Sequence, residues 1–268
     1  MYQLGWFSTG RDKAARDLLA AACNSIESNE IEADIAFVFC NREHGESTES
    51  DRFLKLVNDY KIPLVCFSYQ KFKAERGGEH QGDTMPRWRL DYDRQVMDRL
   101  KNFQPDLCIL AGYMLIVGKE MCSKYDMINL HPAAPGGPAG TWQEVVWQLM
   151  EGEAEESGVM MHLVTPELDR GPVVSYCTFP ITGTLFDKYW QQIKGIDINE
   201  IKRRRGENST LFKLIREHGL KREFPLILAT MEAFSQGKFR IIDGKVIDSQ
   251  GKAIIGYNLT DEIGKLVK

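Results

Sequence analysis

The sequence lacks the patterns that mark secreted, disulfide-rich and membrane proteins. Its six cysteines include no CxxC pair, and most of them lie inside apolar runs, which is typical of buried free thiols. No apolar run is long enough to cross a bilayer, and the N-terminus lacks the basic-then-apolar pattern of a secretory signal. We therefore expect a cytoplasmic protein that has no membrane partner.

An excess of positive charge is also absent. The formal net charge is −4, so no global basic field attracts the chain to nucleic acid or to anionic lipid. His44 and His80 have no metal-ligand spacing to each other or to a cysteine, so we expect no bound metal. With 268 residues, 43% of them hydrophobic, the chain can bury a full core. These properties favour a globular protein that binds small molecules.

Residues 106–131 organise the predicted fold. They contain two short apolar runs separated by a glycine-punctuated segment that could hold one turn of helix, which predicts two buried parallel strands. On the second strand Asn129 and His131 are two residues apart, so their side chains emerge on one face. Residues 132–140 are rich in proline and glycine and must form a loop. Open α/β sheets bind ligands at this end of a parallel strand.

A carboxylate follows in the next strand-and-loop unit. Residues 159–174 predict a strand and then a loop that carries Asp169, which could face His131 in space. An amide, an imidazole and a carboxylate together suit acyl transfer. The amide can donate to an oxyanion, the imidazole can carry a proton, and the carboxylate can orient and charge the imidazole. We therefore expect Asn129, His131 and Asp169 to converge.

The N-terminus predicts a second site. Residues 4–8 form an apolar strand, residues 9–12 a turn and residues 13–25 a helix, which is the first unit of a nucleotide-binding α/β sheet. The N-terminus of a helix binds anions, because its backbone N–H groups are free. The candidate anion ligands are Ser8, Thr9, Gly10, Arg11 and Lys13. The alternative is that Gly10 only turns the chain and the two cations are solvated.

The remaining pattern alternates strands and helices. Strands are predicted over residues 34–40, 64–67, 158–164 and 172–180, helices over residues 50–60, 92–103, 141–150, 185–193 and 211–234, and a hairpin at Asp243-Gly244. Between Tyr69 and Arg87 the chain is polar, which predicts a loop at the surface or at a substrate edge. The alternation predicts a Rossmann-like α/β fold with a mostly parallel sheet and helices on both faces. We expect a mixed sheet in the C-terminal part.

Several segments resemble a known family. They are Leu110-Ala111-Gly112-Tyr113-Met114, Ile128-Asn129-Leu130-His131-Pro132, the strand over residues 158–165, and Glu167-Leu168-Asp169-Arg170-Gly171-Pro172. In this order and at this spacing they resemble the glycinamide ribonucleotide formyltransferases and their 10-formyltetrahydrofolate-dependent relatives. The resemblance covers roughly residues 1–180 and, more loosely, the C-terminal segment.

The resemblance implies one formyltransferase-type domain over residues 1–268. Residues 1–105 would form a Rossmann-like half that binds the acceptor and its phosphate. Residues 106–180 would form the folate-binding and catalytic half, and residues 181–268 the C-terminal helices and hairpin, with an insertion near residues 194–210. A homodimer is compatible with this organisation.

The activity implied by the resemblance is transfer of a formyl group from 10-formyltetrahydrofolate to the amine of glycinamide ribonucleotide in purine biosynthesis. Asn129, His131 and Asp169 would be catalytic, and His162 would be either structural or a support for the site. No metal is implied. The folate-binding residues implied by the resemblance are Met114, Leu115, Ile116, Val117, Leu130 and Thr165.

The chain departs from the family pattern in three places. It has Leu115 where the family usually has arginine, and its N-terminal turn lacks the usual Gly-Ser-Asn sequence. Glu217-His218 is followed by five residues before Phe224-Pro225, whereas the family keeps its Glu-His pair closer to the aromatic-proline pair. These departures leave the identity of the acceptor open.

Alternative functions remain open at this point. Amino-sugar nucleotides and methionyl-tRNA are other amine acceptors, although enzymes for both usually carry a longer C-terminal domain. A formyltetrahydrofolate hydrolase usually has an extra N-terminal domain. A non-catalytic folate-binding or nucleotide-binding homologue would not need the Asn, His and Asp set. The basic run Lys202-Arg203-Arg204-Arg205 is either a solvated face or a contact for an anionic ligand or partner.

Overall fold

The computed structural model describes residues 1–76 and 85–267. The elements in chain order are β1 (Tyr2–Ser8), α1 (Lys13–Glu27), β2 (Ala33–Cys40), α2 (Thr48–Asp59), β3 (Leu64–Cys66), α3 (Tyr69–Arg76), α4 (Arg87–Arg99), β4 (Leu107–Leu110), α5 (Lys119–Lys124), β5 (Met127–His131), α6 (Trp142–Glu151), β6 (Glu156–Leu163), β7 (Val173–Pro180), α7 (Asp187–Ile193), α8 (Ile198–Arg204), a 3-10 helix (Gly206–Asn208), α9 (Thr210–Ser235), β8 (Phe239–Ile242), β9 (Lys245–Asp248), β10 (Tyr257–Asn258) and α10 (Thr260–Leu266).

Contacts divide the chain into two compact units. The first comprises Met1–Asn129, Leu163–Gly171 and Met231–Gly244. The second comprises Leu130–His162, Pro172–Thr230 and Lys245–Lys268. The expected division of one formyltransferase domain into segments by role stays a prediction.

The first unit contains a parallel sheet with the strand order β5-β4-β1-β2-β3. Parallel pairing joins β1 to both β2 and β4, β2 to β3, and β4 to the start of β5. Trp6 and Phe7 are adjacent on β1 and point to opposite faces, yet both are fully buried. Both faces of the sheet are therefore covered, as the predicted α/β class requires.

Aromatic side chains fill the core of the first unit. The ring of Phe7 lies 5.7 Å from that of Phe37 and 5.4 Å from that of Phe39. Tyr113 meets Phe7 edge to face, with 5.7 Å between ring centroids. Such offset and edge contacts are the favoured geometries for aromatic pairs. Because Tyr113 lies just after β4, this packing also fixes the chain that follows the strand.

The second unit contains a mixed sheet. β6 and β7 are antiparallel, and β10 runs parallel to β7 on its other side. The core of this unit lies beneath α6, where Phe212 of α9 packs between Trp142 and Trp147, with ring-centroid distances of 5.9 and 4.5 Å. The prediction of a mixed-sheet C-terminal part is confirmed.

Local sequence signals explain several boundaries. Thr141 caps α6, and its hydroxyl and Glu144 form the reciprocal capping box that the sequence predicts. Asp243 and Gly244 lie between β8 and β9, with φ values of 49° and 69°. Positive φ at both residues is the signature of the two-residue turn expected at Asp-Gly.

The prediction of a loop after Tyr69 is wrong for the residues that the structure describes there. Residues 69–76 form α3. The hydroxyl of Ser68 accepts a hydrogen bond from the backbone N–H of Lys71 and so caps the helix start. Phe72 is buried and lies 5.5 Å from both Phe67 and Tyr92. One buried aromatic anchors an otherwise polar helix, while residues 77–84, with His80, lie outside the described residues.

The basic run lies at the end of α8, inside the predicted insertion near residues 194–210. Arg204 pairs with Glu200 at 2.6 Å, and the ammonium group of Lys202 lies 5.5 Å from the ring of Trp147. Across residues 1–76 and 85–267, the structure contains no helix with the length and apolar character needed to span a membrane.

Candidate active site

The residues that directly follow β1 and β4 are hydrogen-bonded to the neighbouring chain segment. The backbone N–H of Thr9 donates to the carbonyl of Gly112 at 3.2 Å, and that of Ala111 donates to Phe7 at 2.8 Å. The hydroxyl of Thr9 accepts from the backbone N–H of Met114 at 3.1 Å. The turn predicted to bind the acceptor and the segment predicted to bind folate therefore contact each other at the carboxyl-terminal ends of the parallel strands.

The hydroxyls of this turn point into the protein. Ser8 and Thr9 are buried, and the Ser8 hydroxyl accepts from the backbone N–H of Gly10 at 3.1 Å. Gly10 has a φ of 60°, and a Cβ there would lie 2.9 Å from Phe53. Glycine is thus required both by conformation and by close approach. Ser8 and Thr9 shape the turn, and their side chains are already hydrogen-bonded.

An acidic residue caps the helix that follows. The side chain of Asp12 accepts from the backbone N–H of Ala15 at 3.0 Å, at the N-terminus of α1. Arg11 lies 3.4 Å from Asp12, and Lys13 lies 2.5 Å from Asp17, although both cations remain largely exposed. A phosphate at this turn would meet Arg11 and backbone N–H groups together with the negative charge of Asp12.

A cavity of about 500 Å³ lies in the first unit, beside the predicted folate segment. Its lining residues are Tyr69, Lys73, Met85, Pro86, Trp88, Arg89, Met114, Leu115, Ile116 and Pro166. Three of the six residues expected to bind folate are in this lining, namely Met114, Leu115 and Ile116. Pro166 comes from the loop before Asp169 and directly follows Thr165, another residue expected to bind folate.

The other expected folate residues have different surroundings. Val117 is buried in the core of the first unit. The Thr165 hydroxyl donates to the carbonyl of Glu167 at 3.0 Å. Leu130 is half-buried on β5, in the second unit.

The sequence prediction missed the opposite wall of this cavity. Trp88 and Arg89 lie in the first turn of α4, and the sequence placed that helix five residues too late. Lys73 lies over the Trp88 ring at 5.5 Å, and Arg89 is almost fully buried. The detectable signal was an unusual concentration of aromatic and cationic residues in the Arg87-Trp88-Arg89 sequence.

Asp169 lies in a tightly constrained loop between β6 and β7. It is half-buried and has a φ of 53°, a conformation that is uncommon for residues other than glycine. Two residues on, a Cβ at Gly171 would lie 1.7 Å from the carbonyl oxygen of Leu163. The loop therefore returns so closely to the end of β6 that only glycine fits at position 171.

Asn129 and His131 lie on β5, as the sequence predicts, with one residue between them. Asn129 is half-buried, opposite Leu110 of β4 in the strand register. His131 is 3% exposed, and its Nε2 lies 3.0 Å from the carbonyl oxygen of Pro138. Because a carbonyl oxygen can only accept, Nε2 carries the proton in this arrangement. The loop over residues 132–140 thus folds back onto the imidazole.

His162 lies near His131 within the second unit. Their ring centroids are 6.4 Å apart and the rings are nearly perpendicular. On the same strand as His162, a Cβ at Gly158 would lie 3.0 Å from Ala134 in the loop after His131. The absence of a side chain at Gly158 therefore lets that loop pack against β6.

The segment that departs from the family pattern is one continuous helix, α9, with Pro225 inside it. His218 packs edge to face on Phe186 at 5.0 Å, and its burial, with help from Arg222, lowers its pKa. Glu223 pairs with Arg216 at 2.5 Å in a largely buried ion pair. Both carboxylates near this departure are paired, since Glu217 is bonded to Lys221 at 2.8 Å.

The thiols do not have the character of nucleophiles. Burial raises the pKa of the Cys40 thiol to about 12 and the pKa of the Cys66 thiol to about 11. A thiol with a raised pKa is a poor nucleophile at neutral pH, because the thiolate is the reactive form. Within the described residues, no group of three histidine, cysteine, aspartate or glutamate side chains is placed to hold a metal ion.

Comparison with known proteins identifies relatives of the chain. The sequence model described as formyl transferase matches residues 13–188. The phosphoribosylglycinamide formyltransferase of Escherichia coli (strain K12) is 34% identical over 165 residues, which cover 61% of this chain and 68% of that protein. The Haemophilus influenzae protein of the same name is 25% identical over 245 residues, covering 88% of this chain and 92% of that protein.

A solved structure agrees in fold. The phosphoribosylglycinamide formyltransferase of Coxiella burnetii superimposes with a TM-score of 0.62 and 20% identity, covering 96% of this chain and 98% of that chain. At this identity the likeness concerns the fold. Because the family model matches more than half of the sequence, the chain belongs to the formyl transferase family.

Proposed function

We propose that the protein transfers a formyl group from 10-formyltetrahydrofolate to the amine of glycinamide ribonucleotide, a step of purine biosynthesis. The observation that carries this proposal is the presence of Asn129, His131 and Asp169 in the motif segments of a formyl transferase chain. The relatives named phosphoribosylglycinamide formyltransferase support the choice of acceptor.

In the proposed reaction the acceptor amine attacks the formyl carbon. A new carbon–nitrogen bond forms, and the bond from that carbon to N10 of the folate breaks. Asn129 donates a hydrogen bond to the oxyanion that develops on the formyl oxygen. His131 carries a proton toward N10 as this nitrogen leaves, and the amine loses one proton overall. Asp169 is assigned the role of orienting the imidazole during this transfer. No covalent intermediate on the protein is required.

The cavity beside Met114, Leu115 and Ile116 is the proposed site of the folate. Its lining combines apolar and aromatic side chains with the cations of Lys73 and Arg89, which suits a planar heterocycle with polar edges. The departure at Leu115 is compatible with this role, because contacts to backbone groups do not depend on the side chain at that position. The cavity lies next to the Thr9 hydroxyl that bonds Met114.

The proposed phosphate site is the turn that contains Gly10 and Arg11. The N-terminus of α1 and the exposed guanidinium of Arg11 favour an anion there. The Asp12 carboxylate opposes it, since it lies at the same helix terminus. We infer a weaker phosphate site than a turn without this carboxylate would provide.

A second candidate is formyl transfer to another amine, such as an amino-sugar nucleotide. The observation behind it is the shifted position of Glu217-His218 relative to Phe224-Pro225. The charge of Asp12 does not separate the two candidates, because a sugar nucleotide also carries a negatively charged diphosphate, and the names of the relatives favour glycinamide ribonucleotide. Both candidates share the formyl donor and the three catalytic residues.

An acceptor screen tests the proposal. The purified protein is incubated with 10-formyltetrahydrofolate and one amine at a time, and absorbance of the folate product is followed. We expect turnover with glycinamide ribonucleotide that exceeds turnover with amino-sugar nucleotides. Turnover with an amino-sugar nucleotide alone would replace the acceptor and keep the chemistry, whereas no turnover with any amine would overturn formyl transfer.

A further inference from the structure

One buried carboxylate in the first unit bonds to Arg89, which lines the cavity described above, and to Gly118, just beyond another lining segment. Asp93 lies on α4, and its Oδ1 accepts from Nη1 of Arg89 at 2.5 Å. Its Oδ2 accepts from the backbone N–H of Gly118 at 2.7 Å. Arg89 lines the cavity on the α4 side, and Gly118 lies two residues after the segment over residues 114–116, which also lines it. A single side chain therefore connects the two walls.

The contact with Gly118 depends on glycine. A Cβ at this position would lie 2.9 Å from Oδ2 of Asp93 and 2.8 Å from Leu90. Any larger residue at position 118 would push the carboxylate or the helix away. Gly118 is also the N-cap of α5, and the Asp93 carboxylate accepts the hydrogen bond from its backbone N–H.

Stability alone does not account for this buried pair. The side chains of Arg89 and Asp93 are 5% and 2% exposed. Removing two charges from water costs much of the energy that their attraction returns, so a buried ion pair is weak support for folding. Burial raises the pKa of Asp93, although Arg89 and the Gly118 amide both act against that rise. Such costly groups concentrate at functional sites.

We propose that Asp93 is a positioning residue that fixes the separation of the two cavity walls, by holding Arg89 on one side and the Gly118 amide on the other. The inference rests on the proposed function, in which this cavity binds 10-formyltetrahydrofolate. Asp93 acts through the walls and does not contact the cosubstrate. The backbone of residues 114–117 would otherwise shift relative to α4, and the folate slot would lose its shape.

Asparagine at position 93 gives a sharp test. It has nearly the same volume as aspartate, but its amide nitrogen is a donor and cannot accept a hydrogen bond. Asp93→Asn therefore keeps one of the two bonds and turns the other into a clash between donors. Gly118→Ala disturbs the same connection from the opposite wall. Val96→Ala is the matched control, because Val96 is fully buried on the same helix and lines no part of the cavity.

The experiment measures kcat and KM for both substrates, binding of 10-formyltetrahydrofolate by intrinsic tryptophan fluorescence, and backbone hydrogen exchange over residues 114–122. One lost charge-assisted hydrogen bond predicts a KM for the folate about tenfold to a hundredfold higher in Asp93→Asn. The kcat and the acceptor KM should change by no more than about threefold, since groups that contact the reacting atoms are unaltered. Exchange at Gly118 should become faster. Gly118→Ala should give the same pattern.

The outcomes separate this inference from the proposed function. Asp93→Asn with wild-type folate affinity and wild-type exchange overturns the inference, as does an equal rise in folate KM in Val96→Ala. If the wild type binds no 10-formyltetrahydrofolate, the proposed function fails. Backbone hydrogen exchange then tests the positioning role by itself. Faster exchange at Gly118 in Asp93→Asn but not in Val96→Ala supports the role, and unchanged exchange in Asp93→Asn overturns it.

Discussion

The hydroxyl of Thr9 accepts a hydrogen bond of 3.1 Å from the backbone N–H of Met114. Thr9 follows β1 and Met114 follows β4. This bond therefore connects two loops at the carboxyl-terminal ends of neighbouring parallel strands. It also connects the two substrate sites proposed above. Contacts of this kind allow one sheet to hold both reactants of a bimolecular reaction in register.

Replacing Thr9 with valine should destabilise the protein. Valine has the same shape but no acceptor, so the N–H of Met114 would lose its partner in a partly buried contact. We expect a loss of about 0.5–1.5 kcal/mol in the free energy of unfolding. Urea denaturation measures this loss, and Thr9→Ser, which keeps the hydroxyl, serves as control. A valine variant as stable as wild type would show that the bond contributes nothing.

Gly171→Ala should impair catalysis. The new methyl group would overlap the carbonyl oxygen of Leu163, which lies 1.7 Å from an ideal Cβ, and the loop carrying Asp169 must move. A displacement of about 1 Å at a catalytic group can cost roughly a hundredfold in rate. Steady-state kinetics measure the effect. Gly264→Ala is the control, because a Cβ there meets no atom within 4 Å, and equal activity of both variants would contradict the role of the loop.

His131→Ala should lower kcat by roughly two to four orders of magnitude, the usual scale of acid-base and oxyanion contributions. Binding of 10-formyltetrahydrofolate should be largely kept, because the proposed folate cavity is lined by other residues. Pre-steady-state turnover and fluorescence titration separate the two effects. A variant with wild-type kcat would remove His131 from the reaction.

Charge changes at the N-terminal turn should move the acceptor KM in opposite directions. Arg11→Glu should raise the KM for glycinamide ribonucleotide far more than it alters folate affinity, since the cation at the phosphate site is reversed. Asp12→Asn should lower that KM, because asparagine still caps α1 and the opposing charge is gone. Initial rates at fixed ionic strength measure both. If neither variant changes the acceptor KM, the phosphate lies elsewhere.

Asp93 should make stability depend on pH in a defined direction. Burial raises its pKa above the ordinary value of 3.8, so the folded protein holds this proton more tightly than the unfolded chain does. The folded state therefore loses stability as pH rises from about 4 through the folded-state pKa, and regains it as pH falls. Asparagine does not titrate. The free energy of unfolding of the wild type minus that of Asp93→Asn should fall with rising pH in urea titrations, and a rise would contradict the prediction.

Prediction from the sequence was most accurate for elements whose apolar runs or capping residues determine their structure locally. The apolar runs that become β4 and β5, the loop after His131 and the capping box at Thr141 all carry strong local signals. The same holds for the mostly parallel sheet, because alternating strands and helices are joined by right-handed crossovers between parallel strands. Membership of the formyl transferase family followed from motif order rather than from any single motif.

The sequence predicted least where tertiary contacts override local polarity. The first turn of α4 is polar, so hydrophobic periodicity places its start at Tyr92, whereas Arg89 is held in the helix by the buried bond to Asp93. Likewise, α3 is stabilised by the packing of Phe72 against Phe67 and Tyr92. The inward direction of the Ser8 and Thr9 hydroxyls depends on partners that no local pattern reveals.

Transfer of a labelled formyl group tests the central claim most directly. The protein is mixed with 10-formyltetrahydrofolate labelled in the formyl carbon and with glycinamide ribonucleotide, and the products are separated after a single turnover. The account predicts one labelled formyl group on the amine of the ribonucleotide for each tetrahydrofolate released, and loss of this product in His131→Ala. Label recovered as free formate, at the same rate with and without the ribonucleotide, would contradict it.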